Sequence, residues 1–260
     1  MCEVKDMGII QTDEWMASEF DRPLTMMKNL DIIDVKPEQL YRHLQANGMY
    51  TPNEKARKVY QHLVKQDVWT KAEQLFTRYN ELWNGPDVPV YIFPLQAPGF
   101  LQKAKEAKSG LAFQHAVFLF LDSHITDQEL EAVLIHEYHH VCRLHRTKKE
   151  AKDYTLLDAM VMEGVAERTV AKYLGSKYLA HWTALYPESD YKRLWNRYIE
   201  GKLNINRSNP LHDSIMLGKK GYPHMIGYWM GYQLVKQASP LSVRQSFVIS
   251  AEDMLKNQVL

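Results

Sequence analysis

Cysteine is scarce in this chain. Only Cys2 and Cys142 occur among 260 residues, too few for a disulfide framework. Cys142 falls two positions past His140 on a predicted helix, which turns its thiol away from the histidine face, so it is expected as a packed thiol and not a ligand. Cys2 follows Met1 with no apolar segment before it, which argues against a lipidated or secreted start. Long hydrophobic runs are missing too. The longest is a strand's length, which excludes a membrane-spanning helix, and the expected location is the cytoplasm. Neither sign of charge dominates: 32 Lys and Arg face 31 Asp and Glu, a net +1. That balance removes the long-range field that would draw the chain to nucleic acid or an anionic membrane. Repeats, low-complexity tracts and true linkers are absent as well. What remains is 45% hydrophobic, enough to bury a core over this length.

The most informative stretch runs from Thr126 to Arg146. Thr126 and Glu129 have the spacing of a capping box, and behind them Val133, His136, His140 and Leu144 recur on one helical face. His136, Glu137 and His140 form His-Glu-x-x-His. Imidazoles one turn apart can both reach a single zinc ion, with the intervening glutamate placed to take a proton from water. His139 and His145 lie off this face and read as surface or supporting residues.

A second helix is predicted from Thr155, boxed with Asp158, to Leu174, with Gly175 as its stop. One stripe reads Leu156, Met160, Glu163, Glu167, Val170, Leu174, so two carboxylates interrupt an apolar face. Burying them unpaired would cost several kcal/mol; a cation and imidazole partners would remove that cost. Leu157, Val161, Gly164 and Val165 offer a competing apolar face, which would leave the carboxylates in solvent. Gly164 is unfavourable in mid-helix, and close approach of the histidine helix would explain it.

Elsewhere the pattern is mostly structural. Residues 1–37 show no sustained period; Trp15, Phe20 and Leu24 are expected to pack on the body, with Pro23 as a breaker. Pro37 to Asn47 predicts a short helix. Thr51-Pro52-Asn53-Glu54 predicts another start, with Pro52 first in the helix, opening two consecutive helices that end at Gly85-Pro86. Val88 to Leu95, Gly110 to Phe113 and Ala116 to Leu121 read as strands, the first bounded by prolines that suit an edge or a strand end. Leu101 to Lys108 reads as a solvated helix or loop. A small mixed sheet directly before the histidine helix offers an edge on which an extended peptide could dock. Lys177 to Gly201 is aromatic and basic, expected as helix packing. Leu203 to Gly218 looks like a loop, with His212-Asp213 a surface pair. Residues 221–235 predict a buried helix from about Pro223, whose Gly227 and Gly231 would admit a neighbouring helix closely. Leu241 to Leu260 predicts one final helix.

Zinc peptide hydrolysis needs three protein ligands and one open position. His136 and His140 supply two and Glu163 is the expected third, with Glu167 next in line. Glu137 then serves as general base towards a zinc-activated water. Glu167, one turn after Glu163, is suited to hold a ligand histidine by its second ring nitrogen. A donor for the developing oxyanion is sought after residue 200, where Tyr228, His224 and Tyr222 compete with the reading that all three merely pack; Tyr228 is placed first.

His-Glu-Tyr-His-His followed by Met162-Glu163-Gly164-Val165-Ala166-Glu167 resembles the glutamate-ligand zincins, the gluzincins. Their third ligand is the first glutamate of a Glu-Gly-x-Ala-Glu segment, although the connector after His140 is longer here than in thermolysin-like and aminopeptidase relatives. More closely, most of the chain resembles the YjaZ-like family of predicted zinc-dependent proteases of Gram-positive bacteria. The resemblance implies a zincin-like fold with peptidase chemistry acting on a peptide or protein. The chain lacks the Gly-x-Met-Glu-Asn segment with which aminopeptidases of this broad class grip a free N-terminus, so the resemblance does not extend to them. The expectation is therefore an α+β, mostly helical chain in three regions: helical 1–87, a zincin core 88–175 and a helical 176–260, working as one catalytic unit. The competing functions are a zinc hydrolase for another amide or an N-modified peptide, and a non-catalytic zinc-binding regulatory or adaptor protein. Intact Glu137 speaks against the last.

Overall fold

In the computed structural model, residues 7–30, 35–96, 108–147 and 149–257 are described. The chain divides into two compact units, residues 1–141 and 142–260, and each is taken by itself. The boundary falls inside the histidine helix.

The first unit is built on a four-stranded mixed sheet in the order β1-β2-β4-β3. Its strands are β1 (Gly8–Ile9), β2 (Pro89–Pro94), β3 (Lys108–Phe113) and β4 (Ala116–Leu121). β2 pairs in parallel with both β1 and β4, and β3 runs antiparallel to β4. Every residue of β4 and all but the first of β2 are buried, which is why both read as continuous apolar runs without alternation. The prolines bounding β2 mark its ends and not a sheet edge, because the short β1 covers that side. Two residues of strand carry no periodic signal, so β1 has no counterpart in the sequence reading.

Five helices precede or separate these strands: α1 (Thr12–Glu19), α2 (Pro23–Met27), α3 (Pro37–Ala46), α4 (Glu54–Lys65) and α5 (Val68–Trp83). Pro23 opens α2 at its first turn, where a missing N–H costs nothing; it does not break structure as expected. Trp15 and Phe20 pack against Tyr91 and Tyr50, whereas Leu24 is exposed. The cap of α4 is Asn53, whose side chain accepts from the Ala56 amide, so Pro52 lies just outside the helix. Trp69 of α5 donates to the Thr12 hydroxyl, which donates in turn to the Ile92 carbonyl, joining α5, α1 and β2 through one buried chain. Cys2 lies outside the described residues, and so does the stretch read as solvated, Leu101 to Lys108, except for Lys108, which opens β3.

After α6 (Asp127–Arg146), the second unit contains α7 (Leu156–Leu174), α8 (Tyr191–Leu194), α9 (Pro210–Leu217), α10 (Ile226–Gln237), α11 (Val243–Ser246) and α12 (Ala251–Lys256). α7 is its spine. Leu156 and Met160 join one apolar cluster with Trp229 and Met230, while Leu157, Val161 and Val165 join another with Leu234 and Met254. Both apolar faces foreseen on α7 are therefore buried. A Cβ on Gly231 would lie 2.0 Å from the Met160 carbonyl oxygen, and one on Gly164 2.3 Å from that of Gly231. Gly164 thus exists for α10, not for the histidine helix.

The remaining differences have local causes. Met225 adopts a left-handed φ of 53°, which delays α10 to Ile226 instead of Pro223. Asn209 caps α9 through the Leu211 amide with Pro210 in the first turn, so half of the expected loop is a helix and His212 is buried at 4% exposure. Residues 176–199 form short 3-10 and π turns around α8, although their aromatics pack on the core as foreseen. Ser242 and Ser250 each cap a separate helix, splitting the expected terminal helix in two. No helix among the described residues is long and apolar enough to cross a membrane.

Candidate metal centre

The expected cap of α6 is present. Glu129 accepts the Thr126 amide at 2.9 Å, and the Thr126 hydroxyl accepts the Glu129 amide at 3.2 Å. Asp127 and Glu129 lie in its first turn and Arg143, His145 and Arg146 in its last, matching the helix dipole at both ends.

Its rotation is fixed from α5. Tyr138 stacks on Trp83 at 5.6 Å and meets Phe76 edge-on. Its hydroxyl donates to the Pro86 carbonyl and accepts from Asn80. Tyr79 donates to Glu131 at 2.6 Å. His136 and His140 each lie two residues from Tyr138, about 200° around a helix of 3.6 residues per turn. Anchoring Tyr138 in the core therefore presents both imidazoles on the opposite face. His139, read as a surface or supporting residue, is fully buried beside Trp83 at 6.2 Å, which rules out the surface alternative; His145 is exposed. Cys142 is a buried thiol.

On the presented face, the Nε2 atoms of His136 and His140 approach to 2.9 Å, with ring centroids 4.5 Å apart and planes at 84°. Two ring nitrogens that close converge on one point. His140 is buried, and so is Glu137 between them at 7% exposure. Glu137 also lies against the sheet: a Cβ on Gly110 of β3 would stand 2.4 Å from its Cγ. Sequence reasoning passed over Gly110. A glycine inside a strand, where it loses packing, was the available signal.

Glu163 is half-buried on α7, and Glu167 is 3% exposed. Potential ligand atoms of His136, His140 and Glu163 lie within 4.8 Å of one another. Two imidazole nitrogens and one carboxylate oxygen are the donor set of a catalytic zinc site with one coordination position open, so these residues fit zinc by number, type and convergence. One oxygen of Glu167 accepts the Ala180 amide at 2.9 Å, tying the turn that carries Trp182 to α7.

Tyr228 occupies the first turn of α10, half-buried, its ring edge-on to Trp182 at 5.2 Å. His224 precedes the helix and is exposed, and its carbonyl accepts the Tyr186 hydroxyl. Tyr222 is half-buried 5.9 Å from Tyr198. Trp182, which braces both the Glu167 turn and Tyr228, was read only as one more packing aromatic.

Residues 68–256 match the model of a family described as predicted Zn-dependent protease (DUF2268). The chain is also similar to the uncharacterized protein YjaZ of Bacillus subtilis (strain 168), with 35% identity over 226 residues, covering 82% of this chain and 83% of that protein. No solved structure matches.

Proposed function

The chain belongs to the YjaZ-like family of predicted Zn-dependent proteases, and from that premise we propose that it is a zinc metallopeptidase of the gluzincin kind, with a zincin-like catalytic region. The observation that carries the reading is the convergence of His136, His140 and Glu163 with a buried carboxylate, Glu137, on the same helix as the two histidines. Zinc held there would supply Lewis-acid polarisation of the scissile carbonyl and of water. Everything else falls to the protein's own groups.

Glu137 accepts the proton of the attacking water and afterwards delivers it to the leaving amine. Its burial and its contact with β3 hold the carboxylate in one place. Among the described residues β3 has a strand partner on one side only, β4, and its residues are half-buried. Such an edge pairs with an extended peptide through backbone hydrogen bonds, and Gly110 brings that edge against the general base. This favours a peptide substrate over other amides. Tyr228 donates its hydroxyl to the developing oxyanion, with His224 the alternative donor. Glu167 positions a ligand group.

The test is peptide cleavage by the zinc-loaded protein against the Glu137→Gln variant. The variant should keep its zinc and its fold while turnover falls by at least ~10²-fold. Hydrolysis at the parental rate would remove Glu137 from the role; zinc uptake without cleavage of any peptide in a diverse library would remove the peptidase reading itself.

A further inference from the structure

β3 presents two different faces along the edge of the sheet. Gly110 points to α6, where a Cβ would stand 2.4 Å from Cγ of Glu137, and strand alternation puts Lys108 and Ala112 on the same face. Ser109, Leu111 and Phe113 point the other way. The Ser109 hydroxyl donates to the carbonyl of Asn47, the residue that ends α3, at 2.8 Å. Phe113 meets His43 of α3 at 6.0 Å and Phe118 of β4 edge-on at 5.8 Å. Leu111 lies directly opposite Phe118 in the register, so it shares this face with them.

Burial falls off across that face. Phe118 and Phe120 of β4 are fully buried, whereas Leu111 and Phe113 beside them are half-buried. The apolar layer therefore runs out to the edge strand and stops there. Edge strands are usually guarded by charge, proline or a bulge. β3 carries one charged residue, Lys108 at its first position, and no proline. Its six residues pair one-to-one with β4, so no bulge twists it away. An apolar edge of this kind is complementary to another strand. Gly110 shows which strand that is. A chain laid along β3 passes the residue that abuts Glu137, the carboxylate between the two histidines.

We infer that Leu111 and Phe113 select the substrate's sequence: they favour an extended peptide with β-branched or aromatic residues at two positions two residues apart, an inference resting on the peptidase assignment of the metal centre. Side chains of a paired strand alternate between faces, so the residues opposite Leu111 and Phe113 both stand on the α3 face, where apolar cross-strand pairs supply the selection. The residue between them faces α6 and escapes it.

The test uses two fluorescently labelled peptides, one alternating Val or Phe with Thr, the other with Ser in place of every Val and Phe. Cleavage is followed as kcat/KM with the zinc-loaded chain. Binding is followed by anisotropy on the zinc-loaded Glu137→Gln chain. The apolar peptide is expected to be favoured in both measurements, and Leu111→Thr and Phe113→Thr, which keep a residue suited to a strand, should each lower that preference by about 2- to 5-fold. A ratio between two peptides on one protein sample cancels any loss of folded or zinc-loaded protein, so a merely structural role leaves it unmoved. Equal treatment of both peptides, or a ratio unchanged in both variants, would overturn the inference while cleavage itself upholds the peptidase. Preferential binding that responds to the substitutions, without cleavage of either peptide, would uphold the selecting strand and remove the peptidase. Neither binding nor cleavage of either peptide would remove both.

Discussion

Gly110 and Glu137 are in contact across the edge of the sheet, closely enough that any side chain at Gly110 would push the glutamate aside: a Cβ there would overlap Cγ, Cδ and Oε1 of Glu137 at 2.4 to 2.5 Å. The strand beside Glu137 is therefore shaped by the absence of a side chain. Gly110→Ala should displace the Glu137 carboxylate while leaving the histidines in place. Turnover is expected to fall by about 10-fold or more, since misplacement by about 1 Å can cost 10²-fold, with zinc content unchanged. Parallel metal analysis and peptide hydrolysis check this; parental turnover would mean that Glu137 is free to shift without consequence.

Glu163→Ala removes the only carboxylate of the three-residue donor cluster and should weaken zinc binding sharply. Competition with a chelator of known affinity measures it. Full zinc affinity in that variant would take Glu163 out of the ligand set and bring Glu167 forward. Glu167→Ala should lower zinc affinity or turnover by roughly 10- to 100-fold, as losses of supporting groups do.

The oxyanion donor is decided by Tyr228→Phe against His224→Ala. Tyr228 is half-buried against Trp182, whereas His224 is exposed, and an oxyanion donor acts best in a site from which water is excluded. Tyr228→Phe should cost ~10²-fold in turnover with zinc retained, and His224→Ala much less. Near-parental rates in both variants would leave these residues as packing groups.

Gly231→Ala tests the second unit alone. Its Cβ would lie 2.0 Å from the Met160 carbonyl oxygen, so α10 must move off α7. Overpacking of this kind typically costs about 1–3 kcal/mol, and urea denaturation should show a lower midpoint. An unchanged midpoint would mean that the two helices separate at little cost.

The sequence by itself determined the elements whose signals are local. Thr126 with Glu129 and Thr155 with Asp158 mark helix starts because a cap is made within one turn. His136 and His140 stood out because helical spacing alone puts both on one face, whereas Glu163 lay on a stripe that spacing left in competition with a second apolar face. β2 and β4 were legible because strands buried on both sides are apolar throughout.

What only the tertiary structure decided is which neighbour each face meets. Gly164 serves α10 instead of α6, because a glycine advertises a close approach but not its partner. His139 became a core residue through Trp83, which lies far from it in sequence. β1 exists only because β2 offers it an edge. Gly110 gained its meaning from Glu137, a contact between β3 and α6 with β4 lying between them in the chain, and no periodicity records such a contact. Caps and periods are written within a few residues; pairings between distant segments arise from burial and shape, and these the folded chain alone expresses.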